Sequence, residues 1–151
     1  MADDDLMRLY SGRILALAAD IPHLGRLQAP QGSARRRSPL CGSTVTADVT
    51  LAGGRVAAFG QDVKACALGQ AAAAVVGGAV IGQSPAELAA ARDALRAMLT
   101  EAGPVPPGPF AGFEALLPAR AFRNRHASIL LAIEAAAEAA EAAAAAQPGS
   151  A

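Results

Sequence analysis

Aromatic side chains are scarce in this chain of 151 residues, which has no tryptophan, one tyrosine and four phenylalanines. This scarcity argues against a surface that stacks bases or sugar rings, because such platforms are built from aromatic rings. The formal net charge is zero, so no overall electrostatic field favours nucleic acid or an anionic membrane. We therefore expect no nucleic acid and no membrane among the partners of this protein.

Cysteine is also scarce, since Cys41 and Cys66 are the only two. They do not make a disulfide framework in a chain of this size, and we expect no disulfide between them in a reducing compartment. The N-terminus is acidic at Asp3–Asp5, where a secretory signal would carry basic residues. The weakly polar run 65–82 is as long as a membrane span, but it is mostly alanine and glycine and would insert poorly. The sequence thus predicts a soluble, cytoplasmic protein.

The length of the chain predicts one domain, which we place at residues 1–146 and which is followed by a disordered tail at 147–151. Apolar residues at helical spacing predict a first helix from Asp3 to about Ala19. Three arginines follow at Arg35–Arg37. They would suit a basic patch for an acidic partner, but we favour a charged edge strand that discourages pairing with another sheet.

Alternating apolar and polar residues predict a β-hairpin in the middle of the chain. Every second residue of Thr44–Leu51 is apolar, which is typical of a half-buried antiparallel strand with Asp48 on its polar face. Arg55–Phe59 returns as the second arm, and Gly60 is expected to break it. Together with the arginine segment, the hairpin predicts a small three-stranded antiparallel sheet.

A helix of small residues is predicted next, from Leu68 to about Val76, and Gly77 and Gly78 are expected to end it. Its small side chains suit close packing against the sheet. Cys66 lies just before the N-terminus of this helix, where free N–H groups and the helix dipole favour a thiolate.

The C-terminal half of the chain is predicted to be helical. Ser84–Glu87 forms a capping box with proline at the first helical position, and it starts a helix with a buried stripe to about Leu99. A short helical turn is predicted at 113–118. A long last helix follows to about Ala146, and its alanine- and glutamate-rich part is expected to face solvent. The order of elements predicts an α+β two-layer domain.

Three residues are the main candidates for a metal site: Cys41, Cys66 and His126. Cys41 occupies a turn bounded by proline and glycine, where backbone geometry rather than packing presents the thiol. The spacing has none of the short Cys-x-x-Cys clustering of zinc fingers, and from spacing alone two small buried cysteines are the better supported alternative. A cysteine hydrolase lacks a third group to orient the histidine, so we do not expect an enzyme.

Four segments of the chain resemble, in the same order, the NifU N-terminal/IscU/SufU family of iron–sulfur cluster scaffold proteins. They are Ser38–Ser43, the hairpin, Cys66 with the small-residue helix, and Arg123–Leu131. The resemblance extends from about Leu6 to Ala140. It implies an α+β fold with an N-terminal helix, a three-stranded antiparallel sheet and C-terminal helices packed on one face. It also implies a labile cluster, sulfur supplied by a cysteine desulfurase, and delivery of the cluster to acceptor apoproteins.

Carried over from the family, Cys41 matches the first cysteine ligand and Cys66 the second. Ser43 stands where the family usually has an aspartate, and the third cysteine is missing. His126 either takes the place of that cysteine or matches the histidine that precedes it. This ligand set would suit iron or a [2Fe–2S] cluster, or zinc with one coordination position open.

A cluster needs a fourth ligand beyond these three. It could come from a partner subunit in a homodimer, from a small thiol, or from a weaker candidate among Ser43, Asp48 and Asp62. The leading hypothesis is an iron–sulfur cluster assembly scaffold that binds and transfers its cargo. A zinc-binding sulfurtransferase-like accessory protein and a degenerate interaction module without metal are the alternatives.

Overall fold

The fold is α+β, as predicted, and the computed structural model describes residues 10–39 and 42–146. In chain order the elements are α1 (Gly12–Ala19), β1 (Gly32–Arg37), β2 (Thr44–Ala52), β3 (Arg55–Lys64), α2 (Ala67–Ala79), α3 (Pro85–Thr100), a 3₁₀ helix (Gly108–Ala121) and α4 (Arg123–Ala146). The 3₁₀ helix is longer than the single turn predicted at 113–118. Helix α4 packs on β1 and β2, while α2 and α3 pack on α4.

The three strands form one antiparallel sheet in the order β1-β2-β3. The alternation predicted for β2 is confirmed, because Val45, Ala47, Val49 and Leu51 are all buried. Strand β1 lies at an edge of the sheet, as favoured above. Arg35 and Arg37 are exposed there, whereas the Arg36 side chain lies against α4 and bonds Glu138.

Helix α1 begins at Gly12, and the Ser11 hydroxyl accepts a hydrogen bond from the backbone N–H of Ile14. One continuous helix from Asp3 to Ala19 was therefore the wrong prediction, because Ser11 lies inside that range and is the N-cap residue of α1. The predicted cap at Asp3–Asp5 lies outside the described residues. In contrast, the capping box at Ser84 and Glu87 is confirmed, with both of its hydrogen bonds present.

Gly60 does not break the second arm of the hairpin, and β3 continues through it to Lys64. The segment around Gly25 crosses the strand at this point. A Cβ on Gly60 would lie 2.6 Å from the Gly25 carbonyl oxygen and 3.1 Å from the Leu27 nitrogen. A glycine is needed here because another backbone segment approaches the strand closely, which is a common reason for glycine within a strand.

Helix α2 likewise runs through Gly77 and Gly78 and ends at Ala79. The two glycines differ in their surroundings. A Cβ on Gly77 would lie 2.8 Å from the Pro22 carbonyl oxygen and 2.9 Å from the Gln61 side-chain nitrogen, whereas one on Gly78 would meet nothing within 4 Å. Close packing, and not the end of the helix, explains the first glycine.

This difference predicts opposite effects of the same substitution at neighbouring positions. Gly77→Ala is expected to destabilise the fold by about 1–3 kcal/mol, because the contacting carbonyl belongs to backbone. Gly78→Ala is expected to stabilise it by about 0.5–1 kcal/mol, because alanine is the better helix former. Urea unfolding of both variants beside the wild type measures this. Two equal changes of the same sign would contradict the packing seen at Gly77.

The alanine-rich part of α4 was expected to face solvent, and that prediction was wrong. Six of its alanines are buried: Ala135, Ala136, Ala137, Ala139, Ala140 and Ala143. A Cβ on Gly32 of β1 would collide with the backbone of Ala139 and Ala143, so this strand and helix are in very close contact. Small side chains on α4 and a glycine on β1 make that approach sterically allowed. Among the described helices, none has the length and apolar character needed to cross a membrane.

Candidate metal site

Cys66 is the N-cap residue of α2, which confirms its predicted place just before that helix. Its backbone is extended, and its carbonyl oxygen accepts the first helical hydrogen bond, from Gln70 N–H. The side chain makes no capping bond and is partly exposed. No acidic residue occupies the first turn of α2. The thiol therefore stands beside free backbone donors at the positive end of a helix.

Ser38, before Cys41 in the chain, is joined by backbone hydrogen bonds to Gly42 and Ser43, which follow it. Ser38 N–H donates to the Ser43 carbonyl oxygen at 2.9 Å, and Gly42 N–H donates to the Ser38 carbonyl oxygen at 3.0 Å. Gly42 has a φ of 71°, in the left-handed region that favours glycine. Cys41 itself lies outside the described residues. The described residues on either side, Ser38, Gly42 and Ser43, make the hydrogen bonds expected of the predicted turn.

Ser128 connects this turn to Cys66. The Ser128 hydroxyl donates to the Ser43 hydroxyl at 3.1 Å, and it lies 3.6 Å from the Cys66 sulfur, with either atom able to be the donor. Ser43 is 5% exposed and Ser128 is 2% exposed. Three segments far apart in the chain, at the N-terminus of α2, the start of β2 and the first turns of α4, thus meet through side-chain polar atoms.

His126 is buried in the first turn of α4, on another side of the helix from Ser128, because residues two apart leave a helix about 200° apart. Its Nε2 lies 2.9 Å from the Ala119 carbonyl oxygen and 3.2 Å from that of Arg120. Both partners are acceptors, so we assign the proton to Nε2. In the neutral ring, this leaves Nδ1 as the nitrogen with a lone pair for a metal.

The side of α4 that carries His126 borders an open cavity of about 610 Å³ at the end of α3. Arg120 lines this cavity and donates hydrogen bonds to the Met98 and Gly103 carbonyl oxygens at 2.7 and 2.9 Å. The cavity lining comprises Leu99, Thr100, Glu101, Ala102, Arg120, Arg123 and His126. Cys66 is not one of these residues, so the described structure does not bring Cys66 and His126 together in this cavity.

Asp48, a weaker candidate, is fully buried although it lies on the predicted polar face of β2. Arg26 bonds both of its carboxylate oxygens at 2.7 and 3.0 Å, the Leu27 N–H donates to it at 3.0 Å, and the Ser33 hydroxyl does so at 2.6 Å. Burial opposes its charge, but these hydrogen bonds outweigh burial and hold the pKa of Asp48 below its usual range. Binding a metal would require these bonds to break.

Asp62 is exposed on β3, paired in the sheet with Thr46. The pKa of Arg26 is raised, first by its hydrogen bond to Asp48 and to a smaller extent by the charge of Asp62. The charge of Asp62 therefore helps to keep Arg26, the partner of Asp48, protonated. Across residues 10–39 and 42–146, no three side chains of His, Cys, Asp or Glu come together as a metal-binding group. Cys41 lies outside these two ranges.

Two residues of this region were missed by the sequence analysis, namely Ser128 and Arg26. Ser128 could have been found from helical phase, because it lies three and four residues before the buried Leu131 and Ala132. Arg26 gave no such signal, since its partner Asp48 is 22 residues away in the chain.

Comparison with solved structures gives strong matches. The fold is similar to a NifU-like protein (N-terminal) from Brucella abortus, with 43% sequence identity, a TM-score of 0.88, and coverage of 91% of this chain and 96% of that one. A hypothetical protein matches with 23% identity, a TM-score of 0.77, and coverage of 89% and 98%. A candidate iron–sulfur cluster assembly scaffold protein for the SUF system (FiSufU) from Fervidobacterium islandicum AW-1 matches with 16% identity, a TM-score of 0.78, and coverage of 86% and 95%. The last two matches concern the fold alone. No protein-family model matches the chain, and no curated protein does so significantly.

Proposed function

The chain belongs to the family of NifU-like N-terminal domains, and from that premise we propose that it is a scaffold on which an iron–sulfur cluster is assembled and from which the cluster is passed on. The observation that carries the proposal is the contact of Cys66 with Ser128 and, through it, with Ser43. Ser43 follows Cys41 by two residues, so the contact links the two thiol-bearing segments of the chain. The cluster is cargo in this function, and the protein acts by binding and release.

The proposed protein ligands are the thiolates of Cys41 and Cys66 and the imidazole of His126. Thiolate and imidazole both serve as ligands of iron in such clusters. The hydrogen bonds of His126 Nε2 to two carbonyl oxygens support ligation through Nδ1, since a metal-bound histidine usually donates its other N–H to such an acceptor. Asp48 is less suited, because its oxygens are already occupied by Arg26, Leu27 and Ser33.

Partners follow from the chemistry of the cargo. A cluster needs inorganic sulfur, which a cysteine desulfurase would deliver, and its release requires an acceptor apoprotein that offers stronger ligands. A homodimer is a further proposal, since a second copy of the chain could supply ligands that one copy lacks.

Zinc binding in an accessory role is a second candidate function. The donor chemistry favours it, because two thiolates and one imidazole form a common zinc set with one coordination position left open. In this role the protein would accept sulfur from the desulfurase and pass it on, and it would carry no cluster.

A transfer experiment tests the scaffold function against the zinc role. The protein is loaded anaerobically with ferrous iron, L-cysteine, a thiol reductant and a cysteine desulfurase, and is then mixed with an apo-ferredoxin. We expect visible absorption to develop on the scaffold and then to move to the ferredoxin, and we expect Cys41→Ala to show neither. Stoichiometric zinc and faster desulfurase turnover without any cluster would favour the second candidate. If the protein binds neither a metal nor a cluster, the interaction module without metal is the function that remains.

A further inference from the structure

We propose that Ser128 is a positioning residue of the metal site, which holds the Cys66 sulfur next to Ser43 before any metal arrives. The inference rests on the proposed function and extends it to a residue that is not itself a ligand. The arrangement that carries it is the hydrogen-bonded chain from Cys66 Sγ through Ser128 Oγ to Ser43 Oγ, with separations of 3.6 and 3.1 Å.

The hydrogen bonds of Ser128 give it one role before a metal binds and another role afterwards. With the Ser128 hydroxyl donating to Ser43, the Ser128 oxygen can accept a hydrogen bond from the Cys66 S–H group, which is one of the two directions open to that pair. A metal-bound sulfur has lost its proton. The Ser128 hydroxyl can then turn and donate to that sulfur, and hydrogen bonds to ligating sulfurs stabilise a bound metal or cluster.

Helices α2 and α4 pack closely at Ser128 because α2 has a glycine, Gly69, at this point. A Cβ on Gly69, in the first turn of α2, would lie 2.8 Å from the Ala65 Cβ, 3.2 Å from the Ser128 carbonyl oxygen and 3.3 Å from the Ser128 hydroxyl oxygen. The missing side chain at Gly69 therefore lets α4 approach α2 closely enough for Ser128 to reach Cys66. Because Ser128 is 2% exposed, water does not compete freely for its hydroxyl.

Ser43 is the hydrogen-bond acceptor at the other end of this arrangement. Its hydroxyl accepts a hydrogen bond from the Ser128 hydroxyl, and its carbonyl oxygen accepts one from the Ser38 N–H. Ser128 thereby connects α2 and α4 to the closed turn. The Cys66 sulfur and the segment that begins at Gly42 therefore keep one separation, which a metal does not have to fix at an entropic cost.

Cobalt(II) titration of four variants tests this role, with the charge-transfer absorption of thiolate-bound cobalt as the readout. We expect Ser128→Ala to lower cobalt affinity by about 10–100-fold, as loss of an outer hydrogen-bond partner of a metal ligand commonly does. Ser43→Ala is expected to lower it by about 10-fold. The double variant should be no weaker than Ser128→Ala, because both residues act through one chain of hydrogen bonds.

Ser84→Ala is the matched control. It removes the capping box of α3 and is expected to keep wild-type cobalt affinity. Wild-type affinity in Ser128→Ala would overturn the inference and leave the scaffold function standing. Additive losses in the double variant would also overturn it, because Ser43 would then act on the metal independently.

A metal-free readout separates this inference from the proposed function. Phenylarsine oxide binds two neighbouring thiols at once, forming two As–S bonds with release of one water, and Cys41 and Cys66 are the only thiols. We expect Ser128→Ala to weaken this binding about 10-fold. If the wild type binds neither cobalt nor a cluster while this difference persists, the proposed function fails and the positioning role of Ser128 stands. Equal binding by both proteins would overturn the positioning role.

Discussion

Cys66→Ala is expected to lower the affinity of the protein for cobalt(II) or zinc by more than about 100-fold. The substitution removes a thiolate ligand, and even the loss of an outer partner of a ligand costs about 10–100-fold. Cys41→Ala is expected to have an effect of the same size. Competition against a chromophoric chelator measures both, under anaerobic conditions that keep the thiols reduced.

The fold should tolerate Cys66→Ala, which makes the loss of affinity interpretable. The Cys66 side chain is partly exposed and makes no helix-capping bond. Its contact with Ser128 is a weak S···O hydrogen bond at 3.6 Å. We therefore expect the melting temperature of the metal-free variant to stay within a few degrees of the wild type. A metal affinity within threefold of the wild type would rule out Cys66 as a ligand.

Asp48→Ala is expected to lower the free energy of unfolding by about 3 kcal/mol, because leaving a buried donor without its acceptor costs about 1–3 kcal/mol. The carboxylate is fully buried and accepts from Arg26, Leu27 and Ser33, so its loss leaves four donor groups on three residues without their acceptor. Thermal unfolding should show a melting temperature about 10 °C lower. Asp93→Ala removes an exposed carboxylate that also pairs with arginine, and its expected cost is below about 1 kcal/mol. Equal costs for the two variants would contradict the structural role of Asp48.

The same carboxylate gives stability a predictable dependence on acid. Because the pKa of Asp48 is lower in the folded protein than its ordinary value of 3.8, the folded state binds fewer protons than the unfolded chain. Its contribution is complete above the ordinary value and is lost as the pH falls from there through the folded-state pKa. Urea unfolding between about pH 5 and pH 2 should therefore show a steeper loss of stability for the wild type than for Asp48→Asn.

Local patterns in the sequence predicted the features that depend on neighbouring residues. The alternation in Thr44–Leu51 places alternate side chains on the core side of the sheet, and they are buried as expected. The capping box at Ser84 and the N-cap position of Cys66 also follow from a few adjacent residues. The expected α+β fold is confirmed by the described elements and by similarity to the NifU-like domain.

Features that depend on distant segments could not be predicted in this way. Gly60 and Gly77 resemble chain breakers in the sequence, but each makes room for a segment from residues 22–27 that passes over it. The alanines of α4 are buried because Gly32 of β1 lets the helix approach. The polar face of β2 is covered at Asp48 by Arg26 and Leu27.

The candidate site has the same division between local and distant features. The tight turn before Ser43 and the thiol at the N-terminus of α2 were visible in the sequence as separate pieces. Their connection through Ser128 could not be predicted, because its partners Cys66 and Ser43 lie 62 and 85 residues away in the chain. The ligand role predicted for His126 stays a prediction, and the bonds of its Nε2 to the Ala119 and Arg120 carbonyl oxygens show which nitrogen would serve.

The scaffold function is tested most directly by the iron and acid-labile sulfide content of the protein after anaerobic reconstitution, measured together with its visible spectrum. Wild type should contain iron and sulfide in equal amounts and show the absorption of a [2Fe–2S] cluster. His126→Ala should hold less of both, and a Cys41→Ala/Cys66→Ala double variant should hold neither. A wild-type protein that takes up no iron and no sulfide, or a double variant that takes up as much as the wild type, would contradict a cluster held by these residues.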